Sequence, residues 1–132
     1  MTLFIDTSAL YALMDRDDLS HADARQFWAE LDPNEPLITH NYVLVETSAL
    51  VQRRLGIEAL QVLVDELLLP ISTIFVERAV HDAAVSAVLA ARLRQLSVVD
   101  AVSFEVMRRS GVRVAFAFDQ HFAQFGFELR PN

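Results

Sequence analysis

Four acidic residues stand inside apolar stretches where a folded chain ordinarily places a hydrophobic side chain: Asp6 in LFIDTSAL, Glu46 in YVLVETSALV, Asp100 in LSVVDAVSF and Asp119 in VAFAFDQHF. An ionised carboxylate in such surroundings is strongly destabilising unless it is paired or coordinates a metal. No Lys or Arg lies close enough in sequence to pair locally with any of the four. One divalent cation shared among them satisfies all of them together. Carboxylate oxygens select hard ions such as Mg2+ or Mn2+ over soft ones, and these ions keep water in their coordination shell.

Each acid also has a plainer explanation. Asp100 follows Ser97 by three residues, the spacing of a capping box. Asp119 is placed to cap a short helix over residues 120–124, and Asp6, just before Thr7 and Ser8, suits a turn. Glu46 could answer an Arg distant in sequence, but it is the hardest to explain away. It falls in mid-helix, where there is no capping job, and Tyr42, Val43, Ala49 and Leu50 at helical spacing predict that it faces inward. The other acids differ in context: Asp15, Asp17, Asp18, Asp65, Glu66 and Glu105 read as solvated, and Asp23 as a helix-start residue after Ser20.

The elements that must position these groups alternate between short apolar runs and longer helical patterns, which is the signature of an α/β chain. Strands are expected at residues 3–5, 37–39, 71–75 and 112–118, with a further edge strand at 127–129. Helices are expected at 8–14, 20–31, 41–55, 57–68, 77–96 and 97–110; Gly56 and Gly111 close two of them. Asp6 and Asp119 then end apolar strands, the place where parallel α/β sheets build ligand sites. Asp100 falls in the first turn of its helix, and Glu46 in a helix that follows a short strand. Four such positions can meet at one rim of the sheet.

Composition bounds the alternatives. The 132 residues suit a single domain over 1–132, 53% of them hydrophobic, with no apolar run near the length of a membrane span. The start MTLFID lacks the features of a signal peptide, so a cytoplasmic location is expected. Without cysteine there are no thiol nucleophiles and no Cys-based zinc sites. All 11 basic residues are Arg, and the lack of Lys speaks against Walker-type phosphate loops and against phosphate-transferring aspartate enzymes. The net charge of −7 argues against a general nucleic-acid-binding surface, although removing the four proposed site charges leaves only −3. Arg53/Arg54, Arg92/Arg94 and Arg108/Arg109/Arg113 are local groups able to attract phosphate, or simply solvated helix faces.

FIDTSALYAL, VLVETSALVQRRLG, LSVVDAVSFEVMRR and AFDQHFAQFGF together resemble PIN-domain ribonucleases, in particular VapC-like toxins of bacterial toxin–antitoxin pairs. The resemblance runs over essentially the whole chain, and its third and fourth segments are the more specific. It implies a three-layer α/β/α domain with a mainly parallel sheet, whose Asp6, Glu46, Asp100 and Asp119 bind Mg2+ or Mn2+ and cleave RNA. It further implies a homodimer held silent by a small antitoxin that wraps the N-terminal helices. The chemistry of the residues agrees: such ions generate hydroxide, neutralise phosphate oxygens and stabilise the leaving oxygen during in-line attack. Asp6 and Asp100 are the expected main ligands, with Glu46 and Asp119 completing the ring directly or through water. Thr7 or Ser8 would orient Asp6 from behind, or merely cap the following helix.

Two rivals stand beside this reading. A metal-independent ribonuclease would use two of His21, His40, His81 and His121 as acid and base. A catalytically idle interaction module would use the helix bearing Phe27, Trp28 and Leu31 to hold a partner, though a core stripe explains those residues equally well.

Overall fold

Leu3, Phe4 and Ile5 are all buried, and an uninterrupted apolar run of this kind belongs to a strand covered on both faces. In the computed structural model, which describes all residues 1–132, they form β1 (Leu3–Ile5) at the centre of a five-stranded sheet. The other strands are β2 (Leu37–His40), β3 (Ser72–Ile74), β4 (Val114–Phe116) and β5 (Glu128–Arg130). Every pairing is parallel and the order is β3-β2-β1-β4-β5, with Leu3 opposite both Leu37 and Val114. The expected sheet is thus parallel throughout.

The helices are α1 (Thr7–Met14), α2 (His21–Glu30), α3 (Asn41–Leu55), α4 (Ile57–Val62), α5 (Arg78–Ala91), α6 (Val98–Ser110) and α7 (His121–Gln124). Together with the sheet they make the three-layer α/β/α arrangement expected. The main core gathers around β1 and β4. Phe27 and Trp28 of α2 pack on Phe116 at 4.8 and 6.2 Å between ring centroids, so the aromatic stripe of α2 belongs largely to that core. One satellite cluster seats α5 on α6 through Val80, Ala84, Ala101, Val102 and Val106, and another joins Tyr11, Val51 and Leu63.

Three boundaries depart from expectation for physical reasons. The helix expected over 77–96 ends at Ala91, where Arg92 adopts a left-handed conformation at φ 53° and the chain turns so that Leu96 enters the core. No glycine marks this turn, because Arg92 itself takes the left-handed cap. The helix expected over 57–68 continues past Val62 as a π-helical turn, Leu63–Leu67. The strand expected over 112–118 is regular only over Val114–Phe116, since the Phe118 N–H leaves the ladder and donates to the Ser8 hydroxyl at 2.9 Å.

Candidate active site

Strand order reverses at β1: β2 and β3 extend to one side, β4 and β5 to the other. Beyond the carboxyl ends of strands at such a switch point, neighbouring chains diverge and leave a crevice. Asp6 directly follows β1 and Asp119 lies three residues past β4, so these acids flank the crevice. Asp100 enters from the first turn of α6, and Glu46 from the second turn of α3.

Asp6 is 4% exposed and caps α1: its Oδ2 accepts from the Ser8 N–H at 3.1 Å and from the Ser8 hydroxyl at 2.6 Å. Because that hydroxyl also accepts from the Phe118 N–H, Ser8 ties the carboxylate after β1 to the backbone beside Asp119. Of the two hydroxyls expected behind Asp6, Ser8 is therefore the one that touches it. Thr7 instead accepts from the Thr47 hydroxyl at 3.0 Å, joining α1 to α3 beside Glu46.

Asp100 and Asp119 lie together. The Asp100 N–H donates to Ser97 Oγ at 3.0 Å, so the capping box exists in its first half, while the Asp100 carboxylate turns toward Asp119. Asp119 Oδ1 accepts from the His121 N–H at 2.9 Å, a local turn that orients Asp119 without occupying its whole carboxylate. None of the four acids has an Arg partner, which removes the distant ion pair as an account of Glu46.

The consequence is a concentration of negative charge. Burial raises Asp6 from the ordinary carboxylate value to about 6 against the lowering effect of its two Ser8 hydrogen bonds, with Asp119 and Glu46 adding repulsion. Burial first, then the charges of Asp119, Asp6 and Glu46, push Asp100 up to about 8. These protons are shared across an interacting group. Asp119 and Glu46 thus each act on both Asp6 and Asp100.

Glu46 corrects one expectation. It is exposed rather than inward-facing. The buried stripe of α3 is Val43, Thr47 and Val51; of the four apolar neighbours that suggested an inward face only Val43 is buried, Tyr42 and Leu50 are half-buried and Ala49 is exposed. The charge of Glu46 still adds to the repulsion felt by Asp6 and Asp100.

His121 is the site residue that the acidic pattern does not reveal. Its Nδ1 lies 3.1 Å from Asp119 Oδ1 and 3.4 Å from Asp100 Oδ2, and it is buried without a hydrogen-bond partner. Its position two residues after an acid at a strand end was the available signal. The other histidines are engaged elsewhere: His21 with the Ala12 carbonyl, His40 in the core with Ser103, and His81 with the Tyr42 hydroxyl. Buried His40 has its value lowered to about 4 by desolvation, which leaves it neutral near pH 7. An orphaned ring nitrogen facing two crowded carboxylates is a donor set that fits a divalent cation.

The parallel sheet with an acidic rim at its switch point defines a class, and the PIN domain model matches residues 3–128: the chain belongs to the PIN-domain family. Among characterised relatives it is 38% identical, over 98% of its own length and 99% of theirs, to the 23S rRNA-specific endonuclease VapC20 from two strains of Mycobacterium tuberculosis. The crystal structure of that VapC20, described as a sarcin-ricin loop cleaving toxin, superposes with a TM-score of 0.85 at 35% identity, covering 95% of each chain. VapBC2 from Rickettsia felis, solved on a DNA fragment from its promoter, gives a TM-score of 0.73 over 98% of each chain, and at 13% identity it shows a shared fold.

Proposed function

We propose that this protein is the ribonuclease toxin of a toxin–antitoxin pair, hydrolysing RNA phosphodiester bonds with Mg2+ or Mn2+ held by Asp6, Glu46, Asp100 and Asp119. The observation that carries the metal dependence is the crowding of these carboxylates at the switch point with no Arg or Lys to offset them. A bound cation would supply an activated water and neutralise phosphate charge in the transition state. The chain's own residues supply position. Ser8 fixes Asp6 relative to the end of β4, Asp119 is held by the backbone of α7, and Thr7 with Thr47 fixes the helix that carries Glu46.

By likeness to VapC20, the substrate we infer is the sarcin-ricin loop of 23S rRNA. Arg108 and Arg109 are engaged by Glu105, and Arg54 lies over the Tyr11 ring. Exposed Arg92 and Arg94 have no such partners and lie in the segment between α5 and α6. Their unpaired charges are free to meet RNA phosphates.

A small cognate antitoxin would lie in the largely apolar groove of about 270 Å3 between α1, α2 and α4, lined by Leu13, Met14, Trp28, Val62 and Leu67. Exposed Val45, Leu89 and Leu93 offer surface for a homodimer. By likeness to the VapC20 toxin, whose substrate is ribosomal RNA, the protein's site of action is the cytoplasm; no helix is long and apolar enough to cross a membrane. The test is incubation of the purified protein with ribosomal RNA in chelator, in Mg2+ and in Mn2+, followed by mapping of the cut ends. Metal-dependent cutting supports the proposal, and full activity in chelator overturns it.

A further inference from the structure

The orphaned nitrogen of His121 has a geometry that neither the acidic quartet nor the fold requires. Nδ1 is near one carboxylate oxygen of Asp119 and one of Asp100, at 3.1 and 3.4 Å, yet aligned to neither as a hydrogen bond. The three potential ligand atoms all lie within 4.8 Å of one another. An octahedral ion with ligands at about 2.1 Å holds adjacent ligand atoms about 3.0 Å apart and opposite ones about 4.2 Å apart. The His121 distances match adjacent ligands on one cation.

The ring is also held in place. His121 opens α7, its N–H is bound to Asp119 Oδ1, and the next residue, Phe122, is fully buried against Phe104 at 5.0 Å and Phe4 at 6.1 Å between centroids. A flexible surface histidine would gain little from such anchoring. A ligand gains preorganisation.

We propose that His121 Nδ1 is a ligand of the divalent cation bound by Asp100 and Asp119, and that it makes the site prefer Mn2+ over Mg2+. This rests on the metal-dependent reading above and adds a ligand to it. Imidazole nitrogen is a softer donor than carboxylate oxygen, and Mg2+ holds oxygen and water in preference to nitrogen; Mn2+ accepts a mixed nitrogen and oxygen shell more readily. Coordination through Nδ1 requires the ring proton to reside on Nε2.

The experiment uses the chelator-stripped full-length protein titrated with MnCl2 and, separately, MgCl2. Metal affinity is measured by calorimetry, and the ligand type by pulsed electron paramagnetic resonance of bound Mn2+. The expected spectrum of the unmodified protein shows coupling to a directly bound 14N nucleus, lost in His121→Ala and in His121→Gln. Either substitution should weaken Mn2+ binding at least tenfold and Mg2+ binding less than threefold. Bound Mn2+ without nitrogen coupling, or equal weakening of both metals, overturns the role of His121 and leaves the carboxylate site standing. Failure of the unmodified protein to bind Mn2+ at all overturns both. Should the substituted proteins not fold, nitrogen coupling in the unmodified protein decides, because the other three histidines are engaged away from the acids.

Discussion

At the N-terminal edge of the sheet, Met1, Thr2, Val112, Arg113, Phe127 and Glu128 line part of an open cavity of about 690 Å3. At the C-terminal edge the four acids line none of the larger cavities, yet there the electrostatics are most perturbed. The charged groups of the first edge are ordinary: Glu128 pairs with Arg130, and Arg113 is exposed. The second edge gathers like charges in partly desolvated positions with no Arg paired to them. Concavity alone would direct attention to the N-terminal edge, whereas unbalanced charge at the switch point favours the edge proposed as the active one.

The largest effect that sharpens this contrast is on activity. Asp100→Asn should lower RNA cleavage by at least ~1,000-fold, roughly 4 kcal/mol of transition-state stabilisation, while the protein without metal melts no lower than the unmodified one. Retained activity, or a large loss of melting temperature, would make Asp100 a helix-start residue only. Ser8→Ala should cost about 10- to 100-fold in cleavage and in metal affinity, as expected for a group that orients a ligand. A similar loss from Thr7→Ala would show instead that the α1–α3 contact matters as much as the Asp6 contact.

The pH dependence of metal-free stability has a definite sign. Asp6 and Asp100 hold protons more tightly when folded than the ordinary value of 3.8, so their favourable contribution is full below about pH 4. It is lost as pH rises through about 6 for Asp6 and about 8 for Asp100. His40 acts oppositely, because its folded value of about 4 lies below 6.5; its contribution is lost as pH falls through that window. From pH 6.5 to 8 the contribution of the carboxylates is falling, while that of His40 is levelling off. Calorimetry in chelator should show the melting temperature falling over that range, flattened by Asp100→Asn and less affected by exposed Glu46→Gln. A melting temperature that rises there would contradict the crowding. The smallest expected effect is at the other edge, where Arg113→Ala and Glu128→Gln should leave cleavage within about twofold.

Much of this edge was legible from the chain itself. Asp6 and Asp119 stood at the ends of apolar strands, and an apolar run such as Leu3 to Ile5 has few options other than a buried strand. Ser97 three residues before Asp100 announced the start of α6, and the structure has that cap. What escaped depended on tertiary contacts. Tyr42, Val43, Ala49 and Leu50 made Glu46 look buried, but which side of α3 is covered depends on where α1 docks. The end of α5 at Arg92 had no glycine to mark it. The link from Ser8 to Phe118 spans 110 residues, and His121 joined the acids only once α7 was anchored by Phe122.

The shared cation is tested most directly by diffraction from crystals of the protein grown with MnCl2, collected at a wavelength where manganese scatters anomalously. The account predicts an anomalous peak at about 2.2 Å from carboxylate oxygens of Asp100 and Asp119, with Asp6 and Glu46 around it directly or through water. A manganese peak found only elsewhere, or none beside these carboxylates at saturating metal, would contradict it.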